Sequence, residues 1–241
     1  MPVHLYGHAM DVARLTSLAT RTGVRIIEDC AQAIGARHDG QPVGRASAAA
    51  ITSFYPTKNL GALGDAGAIF TSDPAIRTRA TILRDYGQSA KYVHDELGMN
   101  SRLDELHAAV LRSAMLPRLA SFTTRRREIA NAYLAGLNND AIRPLPVPTG
   151  SESVWHLFPV QIATDRDRFL AYLKAAGIAA GVHYPVLTSA QRALDGAGAL
   201  QLTPLSRARD LAQTEVSLPI HPFLTRDEID HVIETCNGYL R

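Results

Sequence analysis

Lys58 stands in the stretch SFYPTKNLGALGDAGAI, Ser53 to Ile69, among small, apolar and turn-forming residues. Desolvating an ammonium in such surroundings is costly, but it also lowers the amine's pKa and makes it a better nucleophile. A carboxylate, Asp29, ends the apolar run VRIIED. In open α/β sheets ligands gather outside the carboxyl ends of strands, where such a residue can meet one. An amine facing a carboxylate suits pyridoxal 5′-phosphate. That cofactor needs a lysine for its aldehyde, a carboxylate to keep its pyridine nitrogen protonated, and donors for its phosphate, a role open to Ser53. The same residues also read as a glycine-rich connection with a surface lysine, and as a strand-end aspartate that caps a helix or forms a turn. Neither phosphate-binding fingerprint is present. Lys58 precedes its glycines, so there is no GxxxxGK[ST], and Gly61-Ala62-Leu63-Gly64 is not GxGxxG.

The elements that would position these residues follow from hydrophobic period and turn signals. VHLY, VRIIED, AAAITSFY and GAIFTS read as strands, and Asp11 to Arg21 and Pro74 to Arg84 as helices, which alternate as in an α/β layered domain. Ser101 with Asp104 resembles a capping box, and Leu103, Leu106, Val110 and Ala114 predict a buried helical stripe. Helix resumes after Pro117 to about Leu137. The proline-rich IRPLPVPTGSES marks a boundary or surface loop, followed by strand VWHLFPVQI, helix Asp165 to Ala176, strand AAGVHYP and a last helix from Thr225. The expected domains are residues 1–120, a partial large cofactor-binding domain, and 121–241, a smaller C-terminal α+β domain with the connecting helix.

Bulk properties exclude several classes. A chain of 241 residues with 46% hydrophobic and 20% charged residues can bury a core. The formal charge of +2 is spread out, unlike the footprint of a nucleic-acid binder, and the run Arg125-Arg126-Arg127 fits a solvated helix face. Cys30 and Cys236 belong to no metal-binding spacing, so no metal is expected, and a reducing cytoplasm fits. No apolar run approaches the ~20 residues a membrane span needs.

Four segments in order, IIEDCAQAIGA, SFYPTKNLGALGDAGAI, GMNSRLDELHAAVL and VSLPIHPFLTRDEID, resemble the DegT/DnrJ/EryC1/StrS family of pyridoxal-phosphate-dependent sugar aminotransferases. The resemblance implies the fold-type I aminotransferase architecture, with a mixed, mainly parallel sheet in the large domain. By position it implies that Lys58 is the lysine that binds the cofactor aldehyde and shuttles the proton, and Asp29 the pyridinium partner. Gln32 would lie near the ring oxygen, Ser53 would bind the phosphate, and Asn100 would reach the phosphate of a neighbouring subunit. That last role implies a homodimer with shared active sites. Members that dehydrate sugars carry histidine at the lysine position, so Lys58 favours transamination, with glutamate as donor and a nucleotide-activated keto sugar as acceptor. Segments 84–106 and 53–67 look more like the branch acting on dTDP-3-keto-6-deoxyhexoses than the 4-keto branch, which stays as an alternative. GVHYPV places His183 and Tyr184 near the sugar, although a packed aromatic and a core histidine fit equally. His156 and His221 read as structural.

The sequence departs from the family pattern in three places. It begins where a full-length member would already have built about its first third, without the N-terminal arm, the small-residue turn that cups the phosphate and the aromatic that stacks on the ring. Val186-Leu187-Thr188 replaces a proline and histidine, and Ile34 stands where the family commonly has histidine. The competing expectation is therefore a catalytically incompetent remnant or partner protein of the same fold.

Overall fold

The computed structural model describes residues 1–196 and 203–240. The chain forms two compact units, Met1–Thr124 with Val147–His156, and Arg125–Pro146 with Leu157–Arg241.

In the first unit, α1 (Val12–Thr22) leads to β1 (Ile27–Asp29), then to the short strands β2 (Arg37–His38) and β3 (Gln41–Pro42). β4 (Ala49–Ser53), β5 (Gly67–Phe70) and α2 (Pro74–Leu83) follow. Local chemistry sets these boundaries. The Asp11 side chain accepts from the Arg14 amide to start α1, and Gly23, at φ +73°, ends it. Asp73 caps α2 in the same way, with Pro74 in the first turn. The central sheet has the order β1-β4-β5: β1 is parallel to β4, with Asp29 opposite Ile51, and β5 is antiparallel, with Gly67 opposite Ser53.

VHLY is not a strand. Only Val3 pairs, in parallel with Asp29, and the chain then turns through Leu5–Gly7. Tyr6 and Gly7 sit at φ +62° and +89°, and a Cβ on Gly7 would lie 2.8 Å from the His156 amide nitrogen, so close backbone approach replaces strand geometry there.

β6 (Gln88–Ala90) and β7 (Val93–His94) make a hairpin. The capping box expected at Ser101 does not form, because the Ser101 amide is bound to the Arg84 carbonyl; α3 (Glu105–Val110) starts later, after Asp104, without a side-chain cap. A π-helical turn, Leu111–Met115, and a 3-10 turn holding Pro117 then lead into α4 (Leu119–Gly136). This irregularity rotates the expected stripe: Leu106 is 66% exposed, while Leu111 packs with Phe54, Leu60 and Ala62.

The second unit holds an antiparallel sheet of β8 (Ile142–Pro144), β10 (Phe158–Ile162) and β11 (Glu215–Leu218), in the order β11-β10-β8. β9 (Ser151–Glu152), by contrast, joins β2 in the first unit. α5 (Arg166–Ala175), α6 (Ser206–Thr214) and α7 (Arg226–Gly238) complete the second unit. Its core includes Tyr133 against Phe158 and Phe169 against Tyr239. AAGVHYP pairs through Gly181 alone, with Ser217, rather than as a strand. Arg126, expected on a solvated face, is 6% exposed and donates to the Ile220 carbonyl at 2.9 Å. Among the described residues no helix is long and apolar enough to cross a membrane.

Candidate active site

The carboxyl ends of β1 and β4 carry Asp29 and Ser53, and the chain after β4 turns at once to present Lys58. The Lys58 amide donates to the Tyr55 carbonyl at 2.8 Å, closing a tight turn, and the Ala62 amide returns to the Phe54 carbonyl at 2.7 Å. Gly61 is required for this path, since a Cβ there would lie 2.5 Å from the Pro56 carbonyl oxygen. Lys58 is half-buried. Burial pushes its amine below the ordinary lysine range, while the negative charge of Asp29 acts in the opposite direction. Among the described residues the amine has no hydrogen-bond partner, so the structure brings Asp29 and Lys58 within electrostatic reach without tying them in a direct ion pair.

The surrounding groups are oriented by the backbone. Asp29 Oδ1 accepts from the Ala31 amide at 2.9 Å. Its own backbone also pairs across the isolated bridge at Val3, donating to the Pro2 carbonyl and accepting from the His4 amide. Beside it Glu28 is buried: desolvation raises its pKa, but the hydrogen bonds from His4, Gly44 and Ser47 outweigh that and hold it below the usual carboxylate range. His4 Nδ1 accepts from the Met10 amide at 3.0 Å, so the ring proton is on Nε2, which donates to Glu28 at 2.9 Å. Both ring nitrogens of His4 are thereby committed. His4, Glu28 and Cys30 are all buried and close enough together to hold a metal ion, with His4 and Glu28 already joined by their hydrogen bond.

Gln32 is buried, and its Oε1 accepts from the Tyr6 amide at 2.6 Å. Ser53 Oγ accepts from the Tyr55 amide at 3.2 Å, which leaves its hydroxyl proton to donate to an anion. A half-buried amine lacking a hydrogen bond, a carboxylate acting on it, and a hydroxyl at the same sheet end form a donor set that fits pyridoxal phosphate.

Three other expected residues have their own local partners. Asn100 is exposed, bridges to Asp85, and takes a hydrogen bond from Arg102 at 3.2 Å. His183 and Tyr184 belong to the second unit. There Glu215, fully buried, accepts from the His183 amide at 2.6 Å and from the Ser217 hydroxyl, and Ser217 Oγ lies 3.0 Å from His183 Nδ1. Burial raises the Glu215 carboxyl, against the pull of these donors and of Arg166.

Sequence reasoning missed Asn59. It is 5% exposed, donates through Nδ2 to the Val154 carbonyl at 2.9 Å, and lies 3.1 Å from His156 Nδ1 through Oδ1. Its adjacency to Lys58 was the available signal; its partners lie far along the chain. His8 was also missed. Burial pushes its imidazole down to about 4, its Nδ1 meets Ser153 at 2.8 Å, and its ring packs edge-on against Trp155.

The model of the DegT/DnrJ/EryC1/StrS aminotransferase family matches residues 1–237. The erythromycin biosynthesis sensory transduction protein EryC1 of Saccharopolyspora erythraea is 45% identical over 236 residues, covering 98% of this chain and 64% of that protein. The dTDP-3-amino-3,4,6-trideoxy-alpha-D-glucose transaminase of Streptomyces venezuelae is 45% identical over 235 residues, covering 97% and 61%. A crystal structure of S. venezuelae DesV in complex with a ketimine intermediate superposes with a TM-score of 0.91 at 44% identity, covering 98% of this chain and 63% of that one. The chain thus spans less than two thirds of the length of each of these proteins. The superposition agrees with the expected fold-type I α/β architecture.

Proposed function

This chain belongs to the DegT/DnrJ/EryC1/StrS aminotransferase family, and from that premise we propose that it acts as a pyridoxal-phosphate-dependent aminotransferase, moving an amino group from glutamate to a keto carbon of a nucleotide-activated 6-deoxyhexose. The observation that carries this reading is Lys58, a half-buried amine held at a sheet end in the field of Asp29. Pyridoxal phosphate, when bound, supplies the electron sink that makes an amino acid's α-proton removable.

This chain's own residues would do the rest. Lys58 would hold the cofactor's aldehyde carbon and, once displaced, carry a proton from the donor's α-carbon; desolvation keeps its amine available for that work. Asp29, anchored through the Ala31 amide and its two flanking backbone bonds, supplies a fixed negative charge for the pyridine nitrogen. Gln32 would approach the ring oxygen, and Ser53 would donate to the phosphate. We read the first unit as the cofactor-binding domain and the second as the smaller C-terminal domain, with His183 and Tyr184 meeting the sugar. Amination at C3 is supported by the named product of the S. venezuelae transaminase. The exposed position of Asn100 suits a contact made across a homodimer.

Two measurements test the reading. Incubation with pyridoxal phosphate followed by borohydride should place a phosphopyridoxyl group on Lys58; an adduct confined to Lys91 or Lys174 rejects the assignment. With glutamate and a dTDP-3-keto-6-deoxyhexose, sustained release of 2-oxoglutarate separates an enzyme from a chain that binds cofactor without turnover, and NMR of the product separates C3 from C4 amination.

A further inference from the structure

The residue after the candidate lysine is held more firmly than the lysine itself. Asn59 is buried, and both ends of its amide are used. Its Nδ2 donates to the Val154 carbonyl, which can only accept, so its Oδ1 must face His156. An amide oxygen can only accept, so His156 Nδ1 carries the proton that bridges the 3.1 Å between them. Val154 and His156 are themselves pinned: the Val154 amide donates to the Gly7 carbonyl and the His156 amide to the Tyr6 carbonyl, both at 3.0 Å. The Tyr6 amide in turn donates to Gln32 Oε1 at 2.6 Å. A continuous path of hydrogen bonds therefore runs from the neighbour of Lys58, through the returning segment 153–156 and the turn at residues 5–7, to Gln32. All of it lies within the first unit.

We infer that Asn59 and His156 are positioning residues for Lys58, a brace that fixes the lysine's backbone relative to Gln32 and Asp29. The inference rests on the reading of Lys58 as the cofactor lysine. The local turn fixes the chain before Lys58 by the 2.8 Å bond to Tyr55, and the brace fixes the chain after it. With both sides held, the amine's motion is confined to its own side-chain rotamers. Displacing a reacting group by about 1 Å can cost on the order of 100-fold in rate, so a loosened Lys58 should still be chemically competent but badly aimed.

The chain contains only three lysines, Lys58, Lys91 and Lys174, and that makes the test internally controlled. Timed borohydride trapping with pyridoxal phosphate, followed by peptide mass analysis, reads the share of adduct at each. In the unaltered protein Lys58 should dominate; if it does not, the functional reading fails before the brace is examined. In Asn59→Ala and in His156→Leu the Lys58 share should fall by about 10-fold or more, with adduct at Lys91 and Lys174 unchanged and a cooperative thermal transition retained. His156→Asn, which keeps an amide donor, should recover part of the preference. Unchanged Lys58 dominance in either disruptive variant overturns the inference. Should those variants fail to fold, ¹⁵N NMR of the unaltered protein decides: a proton on His156 Nδ1 supports the brace, and a proton on Nε2 with Nδ1 bare overturns it.

Discussion

Lys58 and Arg126 are both cations that folding draws out of water, one in each unit, and they are compensated in opposite ways. Arg126 is 6% exposed, and its guanidinium donates to the Ile220 carbonyl while Arg125 beside it donates to that of Leu224. Burial brings Arg126 down to about 10, where it stays charged at neutral pH. Lys58 is also lowered by burial, yet among the described residues its amine has no hydrogen-bond acceptor and meets instead the charge of Asp29. A structural cation is tied to acceptors that hold it in one place, whereas the amine proposed to attack a carbon is left undercompensated with its backbone fastened instead.

The largest effect should come from removing the undercompensated cation. Lys58→Ala should abolish the phosphopyridoxyl adduct at this position, and Lys58→Arg should do the same, because it restores charge without a nucleophilic amine. Thermal stability should stay close to that of the unaltered protein, since the Lys58 amine has no hydrogen bond to lose among the described residues. An adduct pattern dominated by Lys91 or Lys174 in the unaltered protein would dissolve the contrast with Arg126.

His8 extends the comparison to a group that burial keeps neutral. Its folded pKa of about 4 lies below the 6.5 of an exposed imidazole. Between those values the unfolded chain takes up a proton that the native state refuses, so stability is full above pH 6.5 and drains away as pH falls towards 4. The shift corresponds to about 3 kcal/mol. Urea denaturation at pH 7 and pH 4, compared with the same pair for His8→Asn, should show that share of the acid sensitivity disappearing in the variant. Equal acid sensitivity in both proteins would mean that the ring is not shielded as the structure indicates.

For Arg126 the expectation reverses that for Lys58. Arg126→Leu removes a charge-assisted hydrogen bond to the Ile220 carbonyl and should cost about 2 kcal/mol of stability by urea denaturation. Trapping at Lys58 should continue in the folded fraction. Loss of trapping without loss of stability would assign the functional role to the wrong cation.

Why the position of one cation was legible in the sequence and that of the other misread has a physical basis. Strand-end position was enough to expect Asp29 and Ser53 at one sheet end with Lys58 following, and the helices that Asp11, Asp73 and Asp165 cap were legible from their hydrophobic period. Arg126 looked like one of three solvated arginines because its acceptor lies 94 residues further on. Asn59 meets Val154 across 95 residues, and VHLY resembled a strand until the backbone of Trp155 and His156 is seen crowding Gly7. Thr225 and Glu228 show a signal that was present but unread: the spacing is that of a capping box, and the structure forms one. Alternation and capping are local properties, while long-range partners to single polar groups leave no periodic trace.

The smallest and most discriminating change is Asp29→Asn. Asp29 now favours the ammonium form of Lys58, against a larger opposing effect of desolvation. Neutralising the carboxylate without changing its shape removes the charge of Asp29 that supports protonation, so the Lys58 pKa should fall further and its midpoint of reactivity should move to lower pH. Competitive labelling with a small acylating reagent, without cofactor and with Lys91 as the internal standard, reads that midpoint directly. At a pH below the original midpoint Lys58 should become more reactive relative to Lys91, even though the same substitution weakens support for the pyridine nitrogen. Reactivity towards the reagent and retention of the cofactor should therefore move in opposite directions. A midpoint that stays in place or rises would mean that Asp29 does not act on Lys58, and Lys58 would then differ from Arg126 only in the depth of its burial.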